Sequence, residues 1–110
     1  MKTTKKKVNE LIANKQSFMV TSNSENGSEL FVIENGITYD EAREFIGGWI
    51  EKVGYPICKS DEYSLYVDED GLNKELEPND FATTLIDFRK NGFMPIFGNA
   101  IVAFGQVIKE

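Results

Sequence analysis

The side chains of this chain that can do chemistry are carboxylates, aromatic rings and a single thiol. The sequence has no histidine, which removes Ser-His-Asp and Cys-His nucleophile pairs and the commonest general base. Cys58 is the one cysteine, and without an imidazole partner it is interpreted as a structural thiol. A zinc site needs several Cys or His ligands, so none is expected. The sequence therefore predicts a protein that is not an enzyme and has no catalytic residues.

One acidic cluster is the candidate for a metal site or for a pair of catalytic carboxylates. Asp68-x-Asp70 imitates the start of a calcium loop, but the glycine stands at loop position four instead of six. Asn79 also occupies the place of the bidentate glutamate. A solvated acidic turn is therefore the favoured interpretation, and a metal-dependent hydrolase is the weakest alternative. The cluster consists of Asp61, Glu62, Asp68, Glu69 and Asp70.

The residues considered for ligand binding combine a glycine pair with aromatic rings. Rings next to a glycine pair can line a pocket that stacks a base or a nucleotide. The pair is not a phosphate loop, because it follows a predicted helix instead of preceding one, and no cofactor is implied. The favoured alternative is that the rings fill the core or cover the sheet and that the asparagine caps a helix. The candidate ligand-binding residues are Gly47, Gly48, Trp49, Tyr66 and Asn79.

The first third of the chain predicts a helix and a β-hairpin. Apolar residues recur at helical spacing over about residues 4–15. Short apolar runs at residues 18–20 and 30–33 are typical of strands. Asn26-Gly27 lies between them and takes a positive φ at little cost, so the two strands are expected to form a hairpin.

A second helix is predicted to begin after Thr38. Thr38 and Glu41 have the spacing of a capping box, in which each side chain satisfies a backbone donor of the other. Two glycines inside a helix would cost about 2 kcal/mol relative to alanine, so the helix is expected to end at Gly47 and a strand to start near Trp49. The predicted buried stripe consists of Tyr39, Ala42, Phe45 and Ile46.

The second half of the chain predicts two strands and a third helix. Residues 63–67 alternate in polarity, as strand residues do. Asn79 is placed to cap a helix over about residues 80–90, and Asn91-Gly92 is a usual helix end. Residues 100–104 form a nearly unbroken apolar run, which is typical of a central strand.

These elements predict a single α+β domain over residues 1–110. The expected architecture is a small mixed or antiparallel sheet of about five strands. Two helices are expected to pack on one face, with an N-terminal helix in addition. The other face is expected to be exposed to solvent or to bind a partner. A strand near Pro95 would be at the edge, where it could pair with a second copy, although an edge proline opposes such pairing. A homo-oligomer therefore stays possible.

Composition limits the classes of partner. The formal net charge is −6, which disfavours direct binding to nucleic acid and suits a basic partner surface. A single cysteine excludes an intramolecular disulfide and fits a reducing cytoplasm. No apolar run approaches the roughly 18 residues needed to cross a bilayer, and no secretory signal core follows the basic start of the chain. A cytoplasmic protein away from membranes is expected.

Residues 30–105 resemble a phage-associated family described as domain of unknown function 3846. The matching motifs keep the family's order, with Asp70 inserted, the proline of the third motif shifted by one position and Asn99 standing for an aspartate. The resemblance implies an origin in a phage-like element and a bacterial host, and it makes residues 1–29 an N-terminal addition. The family has no established catalytic residues to transfer. The motifs are Gly47-Gly48-Trp49-Ile50-Glu51, residues 68–71, Leu76-Glu77-Pro78-Asn79 with Ala82-Thr83, and Gly98-Asn99-Ala100-Ile101.

The leading hypothesis is a small phage-type accessory protein that binds a host protein or a small molecule without catalysis. One alternative is a protein that sequesters a small nucleotide. It would require Trp49 or a tyrosine near a basic residue such as Arg43, Lys52 or Arg89. Another alternative is an acidic mimic of DNA that inhibits a DNA-binding protein, which would require negative charges spaced along one face.

Overall fold

The computed structural model describes residues 1–109, and its centre is a five-stranded antiparallel sheet. The strands, in order across the sheet, are β2 (Leu30–Ile33), β1 (Ser17–Val20), β6 (Ala100–Phe104), β5 (Tyr63–Asp68) and β4 (Ile50–Lys52). Within these residues three α-helices pack around the sheet, α1 (Lys5–Ala13), α2 (Tyr39–Ile46) and α3 (Asp80–Thr83). A short parallel pair joins β3 (Ile37–Thr38) to β7 (Ile108–Lys109), and a 3-10 helix spans Phe88–Asn91. The α+β class with an antiparallel sheet is confirmed.

The central strand is β6, which has β1 on one side and β5 on the other. Successive side chains of a strand point to opposite faces of the sheet. A strand that is covered on both faces must therefore be apolar throughout, and this is why the unbroken apolar run predicted β6 correctly. The fully buried residues of β6 are Ala100, Ile101, Val102 and Ala103.

Helices cover both faces of the sheet, and each face has its own hydrophobic core. Val8 of α1 and Ala82 of α3 belong to the core on one face. Ala42 and Ile46 of α2 belong to the core on the other face, together with Ile101. The expectation of two helices on one face and an open second face is therefore wrong. The β6 side chains are apolar on both faces of the sheet, so helices must pack on both faces to keep them out of water.

The capping box predicted for α2 is present. The Glu41 amide donates to Thr38 Oγ1 at 3.1 Å, and the Thr38 amide donates to Glu41 Oε1 at 3.0 Å. Gly47 ends the helix in the left-handed conformation, with φ of 88°. Tyr39 is exposed although the stripe predicted its burial, because it is the first residue of the helix and lies at the rim of the core.

The third helix is shorter than predicted, since it ends at Thr83 instead of continuing to residue 90. Thr83 Oγ1 donates to the Asn79 carbonyl at 2.7 Å and accepts from the Ile96 amide at 2.9 Å. Such side-chain bonds to the backbone compete with helix continuation. The chain then turns, and Asp87 caps the separate 3-10 helix.

Residues 1–29, interpreted from the sequence as an addition, supply both α1 and β1. β1 pairs with β2 as the predicted hairpin, and it also pairs with β6. The strand of this segment is therefore part of the central sheet. No helix within residues 1–109 is long and apolar enough to cross a membrane.

Candidate functional site

The glycine pair forms a tight corner between α2 and β4. Gly47 has the positive φ that ends α2. A Cβ built on Gly48 would lie 2.5 Å from Lys74 Nζ and 2.8 Å from Asp68 Oδ2, so a side chain there would displace the ion pair. The structure therefore explains both glycines. Gly47 adopts a backbone conformation that favours glycine, and Gly48 leaves room for the neighbouring ion pair.

That ion pair joins a buried carboxylate to a half-exposed ammonium. Lys74 Nζ donates to Asp68 Oδ2 at 2.7 Å, and the Asp68 side chain is only 1% exposed. Asp68 Oδ1 also accepts from the Asp70 amide at 2.8 Å. The interpretation of the acidic turn as solvated is wrong at Asp68. In residues 1–109, no group of three or more Cys, Asp or Glu side chains is arranged to hold a metal ion.

Trp49 stands out from this corner, with 57% of its surface exposed. The Arg43 guanidinium carbon lies 3.8 Å from the centre of the indole ring, which is a cation–π contact. Arg43 Nε also approaches the Gly48 carbonyl at 3.5 Å. Trp49 is therefore not a core ring. The ring is at the surface, with a cation against one of its faces.

The other two candidate ligand-binding residues have internal partners. Tyr66 is half-buried on β5 and packs against the core beneath α2. Asn79 is fully buried, and its amide nitrogen donates to the carbonyls of Val20 and Gly98 at 3.1 and 3.0 Å. Its side-chain oxygen accepts from the Ala82 amide, as a helix cap does. The structure thus joins Gly47, Gly48 and Trp49 in one corner, whereas Asn79 uses both amide hydrogens within the fold.

An exposed pair of phenylalanines, which the sequence did not single out, lies on the turn after α3. We call residues 88–94 the aromatic turn. The rings of Phe88 and Phe93 meet edge to face with centroids 6.0 Å apart. The Phe93 amide donates to the Phe88 carbonyl at 3.0 Å, and the left-handed Gly92 reverses the chain between them. The signal in the sequence was Asn91-Gly92, since a turn there separates Phe93 from any helix that contains Phe88.

A groove of about 230 Å³ lies between this turn and the acidic turn, and we call it the acidic groove. Its acidic lining residues are Glu51, Asp68 and Glu69, of which Asp68 is buried and paired with Lys74. Among residues 1–109, no lysine or arginine lines it. Leu72, which also lines it, is 55% exposed. The groove is therefore an apolar surface with negative charge around it. The apolar lining residues are Val67, Leu72, Met94, Pro95, Ile96 and Phe97.

Comparisons of the chain with protein-family models, with curated proteins and with solved structures find no significant match. The resemblance of residues 30–105 to the domain of unknown function 3846 therefore stays a prediction from its motifs. No site residue is transferred from another protein, and a functional conclusion depends on the geometry of this chain alone.

Proposed function

We propose that this protein is a non-enzymatic binding protein that docks on a partner protein through the aromatic turn and the acidic groove. The observation that supports it best is Phe93, a residue that is 68% exposed and whose φ is 60°. A left-handed conformation costs a residue with a side chain roughly 1–2 kcal/mol. A large ring held in water in a strained conformation contributes little to the fold, whereas exposed aromatic anchors are typical of binding surfaces.

The chemistry of the groove favours a basic partner. Glu51 and Glu69 line it, and the chain as a whole carries a net charge of −6. Complementary charge steers encounter and suppresses wrong partners, while buried apolar anchors supply most of the affinity. The proposed partner surface therefore presents an apolar side chain among lysines or arginines. A bacterial host protein fits the setting that the family resemblance implies.

Affinity capture with matched variants tests this proposal. Phe93→Asn removes the ring and keeps a residue that tolerates a positive φ. The control is Phe31→Thr, which removes an exposed ring from β2 at the far edge of the sheet. Quantitative mass spectrometry should show one bacterial protein that wild type and the control enrich equally. Phe93→Asn should enrich it at least tenfold less, since truncating an anchor costs roughly 2 kcal/mol or more. Capture that is insensitive to Phe93, or reproducible turnover of a substrate, would contradict the proposal.

The contact between Arg43 and Trp49 supports a second candidate function. Nucleotide sequestration required a basic residue near Trp49, and Arg43 meets that condition. One face of the indole contacts the cation, and the exposed remainder is available to stack on a base. Because Trp49 is the one tryptophan, its fluorescence reports on this corner alone. Emission that stays constant across a panel of nucleotides would reject this candidate.

A further inference from the structure

A second cleft, distinct from the acidic groove, separates α1 from the chain that follows α3. Its volume is about 530 Å³, within the range of roughly 300–1,000 Å³ that small-molecule sites occupy. Ile12 of α1 forms part of one side, and Leu85 and Ile86 form part of the other. The Cys58 amide donates to the Leu85 carbonyl at 2.8 Å, which ties the loop at Cys58 to the segment after α3. We call this space the α1 cleft.

The α1 cleft differs from the acidic groove in the sign of its charge. Its charged lining residues are Lys59, Lys90 and Asp87. Asp87 is already engaged, because it accepts from the Arg89 amide and pairs with the Arg89 side chain at 3.5 Å. Within residues 1–109, neither lysine forms an ion pair. The cleft is therefore a place of local positive charge on a protein whose net charge is −6.

A tight backbone turn and one buried hydroxyl lie near the α1 cleft. Cys58 and Lys59 are consecutive residues with φ of 54° and 53°, a conformation that side chains disfavour. They form the two-residue turn of a tight hairpin in which the Ser60 amide donates to the Ile57 carbonyl at 3.0 Å, and such a turn requires a positive φ at both positions. Tyr55 Oη is buried without a hydrogen-bond partner among the described residues. Burial, and secondly the charge of Asp87, raise the pKa of Tyr55. Tyr55 itself lines a neighbouring pocket, whereas Asp87 lines the cleft.

We propose that the α1 cleft binds a free amphipathic anion, a small molecule with an apolar chain or body and one carboxylate or phosphate group. The apolar body would lie against Ile12, Leu85 and Ile86, and the anionic group would be held by Lys59 and Lys90. This assignment is independent of the partner proposed for the acidic groove. The cleft and the groove differ in lining residues and in the sign of their charge.

Decanoate is the probe, and decylammonium, with a chain of the same length and the opposite charge, is its control. Decanoate should shift the backbone amide resonances of Ile12, Cys58 and Leu85 and should slow alkylation of Cys58 by iodoacetamide. The double variant Lys59→Gln, Lys90→Gln should weaken decanoate binding about tenfold or more, since each charged contact contributes to affinity. Lys52→Gln, an exposed lysine outside the cleft, should leave it unchanged.

Three results would overturn the assignment. Protection of Cys58 by decylammonium that equals the protection by decanoate would show an apolar space without anion selectivity. Full affinity of the double lysine variant for decanoate would show that the two lysines do not hold the anion. Co-sedimentation with phosphatidylglycerol vesicles, without binding of free decanoate, would show a lipid surface as the source of the anion instead of a small molecule.

Discussion

Gly48 lies against the ion pair of Asp68 and Lys74, so that any side chain at this position would displace one of the two charged groups. The lysine end is partly exposed and can move aside. The carboxylate is buried and is fixed by the Asp70 amide. If Lys74 moves away, a buried charge loses its partner, which is far more costly than the loss of a surface ion pair. The corner that carries Trp49 therefore depends on a residue without a side chain.

Gly48→Ala is expected to lower the free energy of unfolding by about 1–3 kcal/mol, as overpacking does in a tight site. Gly54→Ala is the matched control, because a Cβ there meets nothing within 4 Å and its φ is not positive. That variant should change stability by less than about 0.5 kcal/mol. Urea unfolding followed by circular dichroism measures both, and equal stability of the two variants would refute the structural role of Gly48.

Cys58 differs from a reactive thiol because burial raises its pKa from 9.0 to about 11. The folded state then favours the neutral thiol, so this burial contributes stability below pH 9 and loses it as the pH rises toward 11. At pH 8 the thiolate fraction should be about one hundredfold lower in the folded than in the unfolded chain, since each pKa unit is a factor of ten.

The rate of Cys58 alkylation by iodoacetamide measures this difference. Native protein at pH 8 should react about one hundredfold more slowly than protein in urea, because the thiolate is the nucleophile. The native rate should continue to rise with pH up to about 11. A native rate that levels off near pH 9 would show that the thiol is not shielded.

At the scale of elements, α1 ends in a Schellman motif that contains a lysine where glycine is usual. The Gln16 amide donates to the Leu11 carbonyl, and the Lys15 amide donates to the Ile12 carbonyl. Lys15 lies between these bonds with φ of 57°. Glycine adopts this conformation without a Cβ penalty, so a lysine here stores strain at the helix end.

Lys15→Gly is therefore expected to stabilise the fold by about 0.5–1 kcal/mol, the strain relieved less the added entropy of the unfolded chain. Glu10→Gly, inside the same helix and equally exposed, should destabilise it by about 1 kcal/mol. Thermal unfolding of both variants gives the signs directly. Destabilisation by Lys15→Gly would show that the lysine side chain, which lies 5.9 Å from the Phe104 ring, outweighs the backbone strain.

The aromatic turn is an element whose geometry is set by its own backbone. Asp87 caps it, Gly92 reverses it, and the Phe93 amide closes it onto the Phe88 carbonyl. These hydrogen bonds join residues that are near in sequence, so the turn does not depend on packing against the core. The ring of Phe93 is therefore expected to be replaceable without unfolding the protein, which is what makes Phe93→Asn a clean test of binding.

At the scale of the molecule, local sequence signals predicted the elements whose causes are local. The capping box of α2 and the apolar run of β6 each depend on neighbouring residues. The length of α3 could not be predicted in the same way. The helix ends where Thr83 bonds to Ile96, a residue 13 positions later that folding alone brings near. That helices pack on both faces of the sheet could not be predicted either, because it depends on where α2 crosses the sheet.

The candidate site was predictable only in part, and for the same physical reason. Gly47, Gly48 and Trp49 are adjacent in sequence, so their corner was visible. The ion pair that requires Gly48 depends on Asp68, which pairing of β4 with β5 brings to that corner. The acidic groove combines residues from three separate stretches of the chain. No spacing in the sequence indicates such a surface.

The whole molecule presents two regions of opposite charge, the acidic groove and the α1 cleft. A basic protein surface is proposed to dock at the first through Phe93, and a small anion is proposed to bind at the second. The two proposals are separable, because variants at Phe93 and at Lys59 with Lys90 change different surfaces of the molecule. Loss of one activity with retention of the other is the expected pattern.

Photo-cross-linking at position 93 tests the central claim most directly. A benzophenone amino acid replaces Phe93 in one sample and Phe31 in the other, so that both probes stand for exposed rings. In bacterial cells under irradiation, the probe at position 93 should form one discrete adduct with another protein, and the probe at position 31 should not. No adduct at position 93, or the same adducts at both positions, would contradict the claim that this protein binds a partner through its aromatic turn.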